Sequence, residues 1–301
     1  MTLNSCKEQK RKKLFGRDDI SAYIMLLPFF VFFSFFILMP LAFNFVNSFT
    51  NSDLSRTGAF IGLKNYAGLL KDEDFLRSLA NTAVYALCSV IPLTVVGFAA
   101  AVAVNGRSAV VKAATTLFMF PYITSMVAVS MIWLLLYEPS DGILNKILAL
   151  AGIKPLLWLF DENLALFALI LMNIWKNMGY VMIVYLAGLQ SIPPPLYESA
   201  TVDGASDFDK LFKITIPQLS NITFFILVTL CVEAFKTFDQ VRIMTGGGPV
   251  NSTTTIVHQI YIRAFSEFKM GYASSMSIVL LVLTFFTTLL NMKLGSGKER
   301  F

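Results

Sequence analysis

The run Tyr23-Ile-Met-Leu-Leu-Pro-Phe-Phe-Val-Phe-Phe-Ser-Phe-Phe-Ile-Leu-Met-Pro-Leu-Ala-Phe43 contains no charged residue. A helix needs about 20 apolar residues to cross the hydrocarbon core of a bilayer, and this run supplies them. It is too long for a signal-peptide apolar region, and no small-x-small cleavage site follows it. It reads as an uncleaved membrane anchor.

Moving outward with a window of about 19 residues, five further runs of the same kind emerge. They are Ala83–Val104, Ala113–Tyr137, Leu164–Leu189, Ile222–Phe238 (starting near Leu219) and Tyr272–Leu290. Each is predicted to be helical, because backbone groups in hydrocarbon have no water to bond. Pro28, Pro40, Pro92 and Pro121 fall inside these runs and predict kinks. Composition agrees: of 301 residues 56% are hydrophobic and only 14% charged, with 28 Phe and 13 Met. Soluble domains are about a quarter charged. The mean hydropathy is +0.67, so part of the solvent must be lipid. The expectation is an all-α integral membrane protein with six transmembrane helices. A basic tail covers residues 1–19, a transmembrane domain 20–294 and a short tail 295–301.

The net charge is +5. Its densest basic run, Lys10-Arg11-Lys12-Lys13, sits directly before the first apolar run, as a cytoplasmic flank does, so nucleic acid is not the expected partner. With the N-terminus inside, the inner segments are the tail, the loops near Asn105–Lys112 and Gln190–Gln218, and the C-terminal tail. They hold thirteen Lys and Arg against nine outside, which puts both termini in the cytoplasm. Cys6, Cys88 and Cys231 show no disulfide or metal spacing. His258, the one histidine, has no partner for a metal site or triad and reads as a surface residue. The first outer loop, Thr50–Arg77, mixes charge with Phe60, Tyr66 and Phe75. The last, Val241–Gly271, opens with Thr245-Gly246-Gly247-Gly248-Pro249. In it Ile256, Ile260 and Phe265 can share a face, predicted to pack on the outer membrane surface.

Two constellations stand out. The loop from Ile192 to Pro217 carries three prolines that stop the preceding helix. A short helix is predicted over Leu196–Val202, then a turn at Gly204. A second helix, capped by Ser206 or Asp207, is predicted to end before Pro217. A plain connector packed on the membrane surface accounts for the same features. Inside the membrane, Asn173, Lys176, Asn177 and Tyr180 share one face of the fourth span. Thr229, Glu233, Lys236 and Gln240, with Asp239 beside them, form a stripe on the fifth. A mid-span Lys costs about 2.5–3.5 kcal/mol to insert, so Lys176 must face protein or water. A polar solute pathway rimmed by Trp175, Tyr180, Phe235 and Phe238 is one reading; charges paired with each other, or with a second subunit, is the other. Glu233 and Lys236 can pair at i,i+3. The lysines leave an anionic solute open. No phosphate loop, HExxH, Ser-His-Asp set or paired-Cys site is present. Active transport would draw its energy from an ion gradient or another chain. A secondary transporter would need ion-coupling carboxylates deep in a span, and Glu233, near the outer end of its helix, is the single candidate.

The stretch Glu198-Ser199-Ala200-Thr-Val-Asp203-Gly204-Ala205, with Ile216-Pro217 downstream, resembles the cytoplasmic signature loop of bacterial ABC importer permeases. Ser199 stands where that family has Ala. Further stretches resemble its carbohydrate-uptake branch, which includes the larger maltose permease and the multiple-sugar and glycerol-phosphate permeases. They include Phe60-Ile-Gly-Leu-Lys-Asn-Tyr66, Asn81-Thr82, Phe120-Pro-Tyr122, Gly142-Ile-Leu-Asn145, Ile174-Trp-Lys176, Leu186-Ala-Gly-Leu-Gln190 and Thr245-Gly246-Gly247-Gly248-Pro249. The resemblance runs from about Ile20 to Leu294. It implies a type I ABC importer permease fold in a bacterial plasma membrane, with the loop at about 190–217, between helices four and five, as a coupling loop. It implies a second, different permease, two ATPase subunits that bind ATP and Mg, and an extracellular solute-binding protein. No cofactor is then expected in this chain, which is not itself an enzyme.

Overall fold

The computed structural model describes residues 17–53, 58–106 and 108–295. Cys6, the basic run Lys10–Lys13, Arg56, Arg107, Lys298 and Arg300 lie outside the described residues. Among the described residues the regular structure is helical, apart from one isolated bridge between Thr50 and Phe60.

Helix α1 (Arg17–Phe33) passes through a π-helical turn, Ser34–Leu38, into α2 (Met39–Asn47). Then come α3 (Lys64–Leu69) and α4 (Glu73–Ala103), whose first turn is capped by the Asp72 carboxylate accepting from the Phe75 N–H at 3.1 Å. The chain continues through α5 (Ala109–Ile123), α6 (Met126–Leu136), α7 (Ile143–Leu150) and α8 (Ala165–Ser191). Two short helices, α9 (Pro194–Val202) and α10 (Asp207–Lys210), lead through the π turn Leu211–Thr215 and α11 (Ile216–Gln218) to α12 (Ser220–Phe235). At the far end lie α13 (Asp239–Met244), α14 (Ile256–Tyr261) with the π turn Ile262–Ser266, and α15 (Met270–Gly295).

Four continuous stretches are long and apolar enough to span: Tyr23–Asn47, Glu73–Ala103, Ala165–Ser191 and Met270–Lys293. The third expected span, Ala113–Tyr137, is not one rod: its halves meet at 99°. Pro121 removes a backbone donor near the end of α5, and Thr124 and Ser125 turn to extended ψ values of 144° and 138°. The fifth differs too. Helix α12 stops at Phe235, Lys236 sits at its C-cap, and Phe238 breaks the path at φ −141°, ψ −57°. Asp239 and Gln240 therefore start a separate helix and do not continue the Thr229–Glu233 stripe. A 62° bend also separates α12 from the helical segment before it.

Helix α8 is central: α4, α5 and α12 pack on it, and Leu169, Met172, Val181, Met182 and Tyr185 are buried there. At Gly179 the contact with α5 is so close that a Cβ would overlap the Phe118 carbonyl oxygen. A smaller core of Leu69, Phe75, Ile256 and Met276 joins α3, α4, α14 and α15. Ile256 and Ile260 thus pack inward on the protein, not on the membrane surface; Phe265 alone of that trio is exposed. The most apolar window of Tyr23–Asn47 has none of its residues buried, and α2 touches the remainder through α15. Such a face is stable in lipid or against another chain.

Candidate functional site

Between α8, α12 and α13 lies a cavity of about 400 Å³. Asn173, Lys176, Asn177, Tyr180, Glu233, Lys236, Asp239 and Gln240 all line it, although they come from three helices and the C-cap of α12. Of the aromatic rim, Tyr180 and Phe238 face the cavity, whereas Trp175 and Phe235 are absent from its wall. Trp175 packs instead edge-on against Trp133, with ring centres 5.5 Å apart. Tyr122, which sequence reasoning did not single out as a pathway residue, lines the cavity with its ring stacked 5.2 Å from Tyr180. The Phe120-Pro-Tyr122 stretch was its only signal.

Lys176 is only 6% exposed. Among the described residues its ammonium pairs with no carboxylate. It donates to the carbonyl oxygens of Pro121, Tyr122 and Thr124, at 3.4, 3.1 and 2.9 Å. These belong to the broken end of α5, whose last carbonyls have no helical partners and whose dipole is negative there. Lys176 is thus a C-terminal cap reaching across from another helix. Asn177 Nδ2 donates to the carbonyl and Oδ1 of Asn173, and Gln240 Nε2 donates to the Tyr85 hydroxyl at 2.7 Å. Glu233 and Lys236 pair at 3.4 Å, and both are exposed residues of the cavity lining.

The loop after α8 is built from local signals. Pro193 is the N-cap of α9, and Pro194 and Pro195 occupy its first turn, where a missing N–H costs nothing. Gly204 has φ +78°, and the Ala205 N–H reaches back to the Ala200 carbonyl at 2.9 Å, the closing bond of a Schellman turn. Nothing lies within 4 Å of a Cβ placed there, so glycine is required by backbone angle and not by close approach. Ser206 and Asp209 form a reciprocal capping box at the start of α10. Hydrogen bonds from Lys213 and Ser206 hold the Asp209 carboxyl down at about 2. The helix does not end before Pro217: the π turn Leu211–Thr215 lets it continue through the proline. Glu198, Ser199, Asp203 and Gly204 stand exposed, and Ala200 and Ala205 are half-buried. Beside them Val202 is 88% and Phe208 71% exposed.

At the opposite end, Gly246, Gly247, Gly248 and Pro249 form a compact turn stitched to the barrel of helices. Asn81 Nδ2 donates to the carbonyls of Asn251 and Thr254 at 2.9 and 3.0 Å, and the Ile256 N–H donates to Thr82 Oγ1 at 2.9 Å. Arg263 binds Asp72, Asp74 and Glu267. His258 is not on the surface: it is fully buried beneath this turn, and neither ring nitrogen has a hydrogen-bond partner among the described residues. Burial, aided by the charge of Arg242, lowers its pKa to about 4.

Residues 93–296 match the family described as binding-protein-dependent transport system inner membrane component. The probable ABC transporter permease YurN of Bacillus subtilis is 34% identical over 291 residues, covering 94% of this chain and 99% of that protein. The trehalose/maltose transport system permease MalF of Thermococcus litoralis is 31% identical over 287 residues, covering 94% of this chain and 96% of that one. Among solved structures, a bacterial ABC transporter involved in import of the acidic polysaccharide alginate superposes with a TM-score of 0.84 at 25% identity, over 94% of this chain and 97% of that chain.

Proposed function

The chain belongs to the family of binding-protein-dependent transport inner membrane components, with an all-helical type I ABC permease fold, and from that premise we propose that it lines half of the translocation pathway of an ATP-driven importer for a sugar or sugar-like solute. The observation that carries this is the gathering of all eight polar side chains, from three helices and the C-cap of α12, around one cavity beside the stacked Tyr122–Tyr180 pair. Aromatic faces suit the apolar faces of pyranose rings, and the polar rim suits their hydroxyls. A second, different permease supplies the other half. Two ATPase subunits carry ATP and Mg, and an extracellular solute-binding protein delivers the solute. Both termini face the cytoplasm.

The exposed loop from Glu198 to Lys213 is the coupling element. Its short helices dock on an ATPase, and a fit that differs between two ATPase conformations is enough to drive rigid-body gating. Glu198, Ser199, Ala200, Asp203, Gly204 and Ala205 form the docking turn. The test is uptake of labelled maltotriose and related sugars into vesicles holding the assembled complex, with ATP hydrolysis measured alongside. Solute-dependent hydrolysis by the complex, and none by this chain alone, is expected. ATP turnover by the isolated chain would refute the division of labour.

A further inference from the structure

We infer that this cavity passes uncharged carbohydrates in preference to anionic ones, because both of its ammonium groups are already engaged while the Asp239 carboxylate stands without a cation among the described residues. The inference rests on the pathway reading above and narrows it to a solute class.

An ammonium has three donors and no acceptor. All three of those on Lys176 point at backbone carbonyls, at 2.9 to 3.4 Å. Its charge faces the negative end of α5, equivalent to about half an elementary charge, which offsets part of it. It has nothing left to offer a carboxylate or phosphate. Of the neutral donors on the wall, Asn173 Nδ2 and the Tyr122 and Tyr180 hydroxyls carry no hydrogen bond among the described residues and stay open to the oxygens of a sugar, and three others are held. Asn177 Nδ2 is held by Asn173, Gln240 Nε2 by Tyr85, and the Thr229 hydroxyl donates to the Phe225 carbonyl. Lys236 keeps spare protons, but Glu233 lies 3.4 Å away and cancels its charge. Asp239, on the same wall, has no ion-pair partner among the described residues.

With Glu233 and Lys236 offsetting each other, the charge left unpaired on the wall among the described residues is the Asp239 carboxylate, and both carboxylates keep lone pairs for hydroxyl donors. Sugar hydroxyls donate hydrogen bonds and complement such a wall. Carboxylates and phosphates only accept, and they meet like charge. The structurally similar alginate importer handles an acidic polysaccharide; the polarity of this wall points the other way.

The experiment uses the full complex with its partner permease and ATPases in nanodiscs. Cys6, Cys88 and Cys231 are replaced by Ser, and Thr229→Cys places one thiol on the cavity wall. Labelling by a charged methanethiosulfonate reagent is followed with neutral probes (glucose, maltose, maltotriose) or with trimannuronate at matched concentration. Neutral sugars should protect the thiol about tenfold better than trimannuronate, the scale set by one charge contact in partly screened surroundings. Adding Glu233→Gln and Asp239→Asn should raise protection by trimannuronate about tenfold, equivalent to about 1.4 kcal/mol. Equal protection by both classes in the parent, or no gain in the double variant, overturns the inference while leaving the pathway intact. A thiol that no probe protects overturns the pathway reading and this inference together.

Discussion

At Lys176 a buried ammonium holds the carbonyls of a broken helix end, and it pairs with no carboxylate among the described residues. Removing one side of a buried hydrogen bond costs about 1–3 kcal/mol per orphaned group. Lys176→Met should therefore lower the thermal midpoint of the detergent-purified chain by several degrees and reduce its assembly with a partner permease. Lys176→Arg, which keeps charge and donors, should retain most of both. A Met variant as stable as the parent would mean the carbonyls find water instead. His258 makes a second residue-scale prediction. Its folded pKa, about 4, lies below the ordinary 6.5. The unfolded chain therefore takes up the proton first as pH falls. Its contribution to stability is complete above 6.5 and is lost progressively between 6.5 and about 4. Thermal midpoints measured across that window should fall more steeply for the parent than for His258→Gln; parallel curves would show that the imidazole does not titrate with unfolding.

The loop between α8 and α12 shows what short-range chemistry reveals. Its prolines, its positive-φ Gly204 and its Ser206 cap each act within a few residues, so each was legible from the sequence, and the structure places them at a helix start, a turn and a second helix start. Gly204→Asp forces a bulky side chain into φ +78°, a strain of about 1–3 kcal/mol. It should leave the chain inserted and paired with its partner permease. ATP hydrolysis in reconstituted vesicles should no longer respond to loaded binding protein, and full coupling in this variant would remove the loop from the mechanism. Glu198→Lys should act in the same direction, less severely. The spans were legible only in outline. Hydropathy averages over a window and is blind to the extended pair Thr124–Ser125, which bends an unbroken apolar run by 99°. The helical spacing of the polar stripe likewise ran α12 on into α13, because the sequence does not announce the break at Phe238. The polar cavity residues were legible because a charge in a span has few excuses. The partners of Lys176 were not, since they are backbone carbonyls some fifty positions away and carry no side-chain signature. His258 was misread for a related reason: a buried imidazole without hydrogen bonds has no local motif.

Across the whole molecule, α8 is the shaft on which α4, α5 and α12 are mounted, and the cavity wall depends on how tightly α5 is seated. That seat is Gly179. An added Cβ there meets the carbonyl carbon of Phe118 at 2.8 Å and the Met119 Cα at 3.0 Å, both of them backbone. Backbone cannot rotate away, so α5 must move as a body, carrying Tyr122 and the carbonyls that Lys176 caps. Gly188, about two and a half helical turns further along α8, offers a control. A Cβ there meets the side-chain ends of Ile222 and Leu219, which other rotamers can withdraw. Overpacking of a fixed contact costs about 1–3 kcal/mol. Gly179→Ala should therefore lower thermal stability and also weaken sugar protection of a Thr229→Cys thiol. Gly188→Ala should come close to the parent in both measurements. If the two variants lose stability and protection alike, crowding of α8 in general is responsible and the seating of α5 does not set the cavity. If Gly179→Ala is tolerated outright, α5 and α8 stand further apart in the membrane than a contact this close allows.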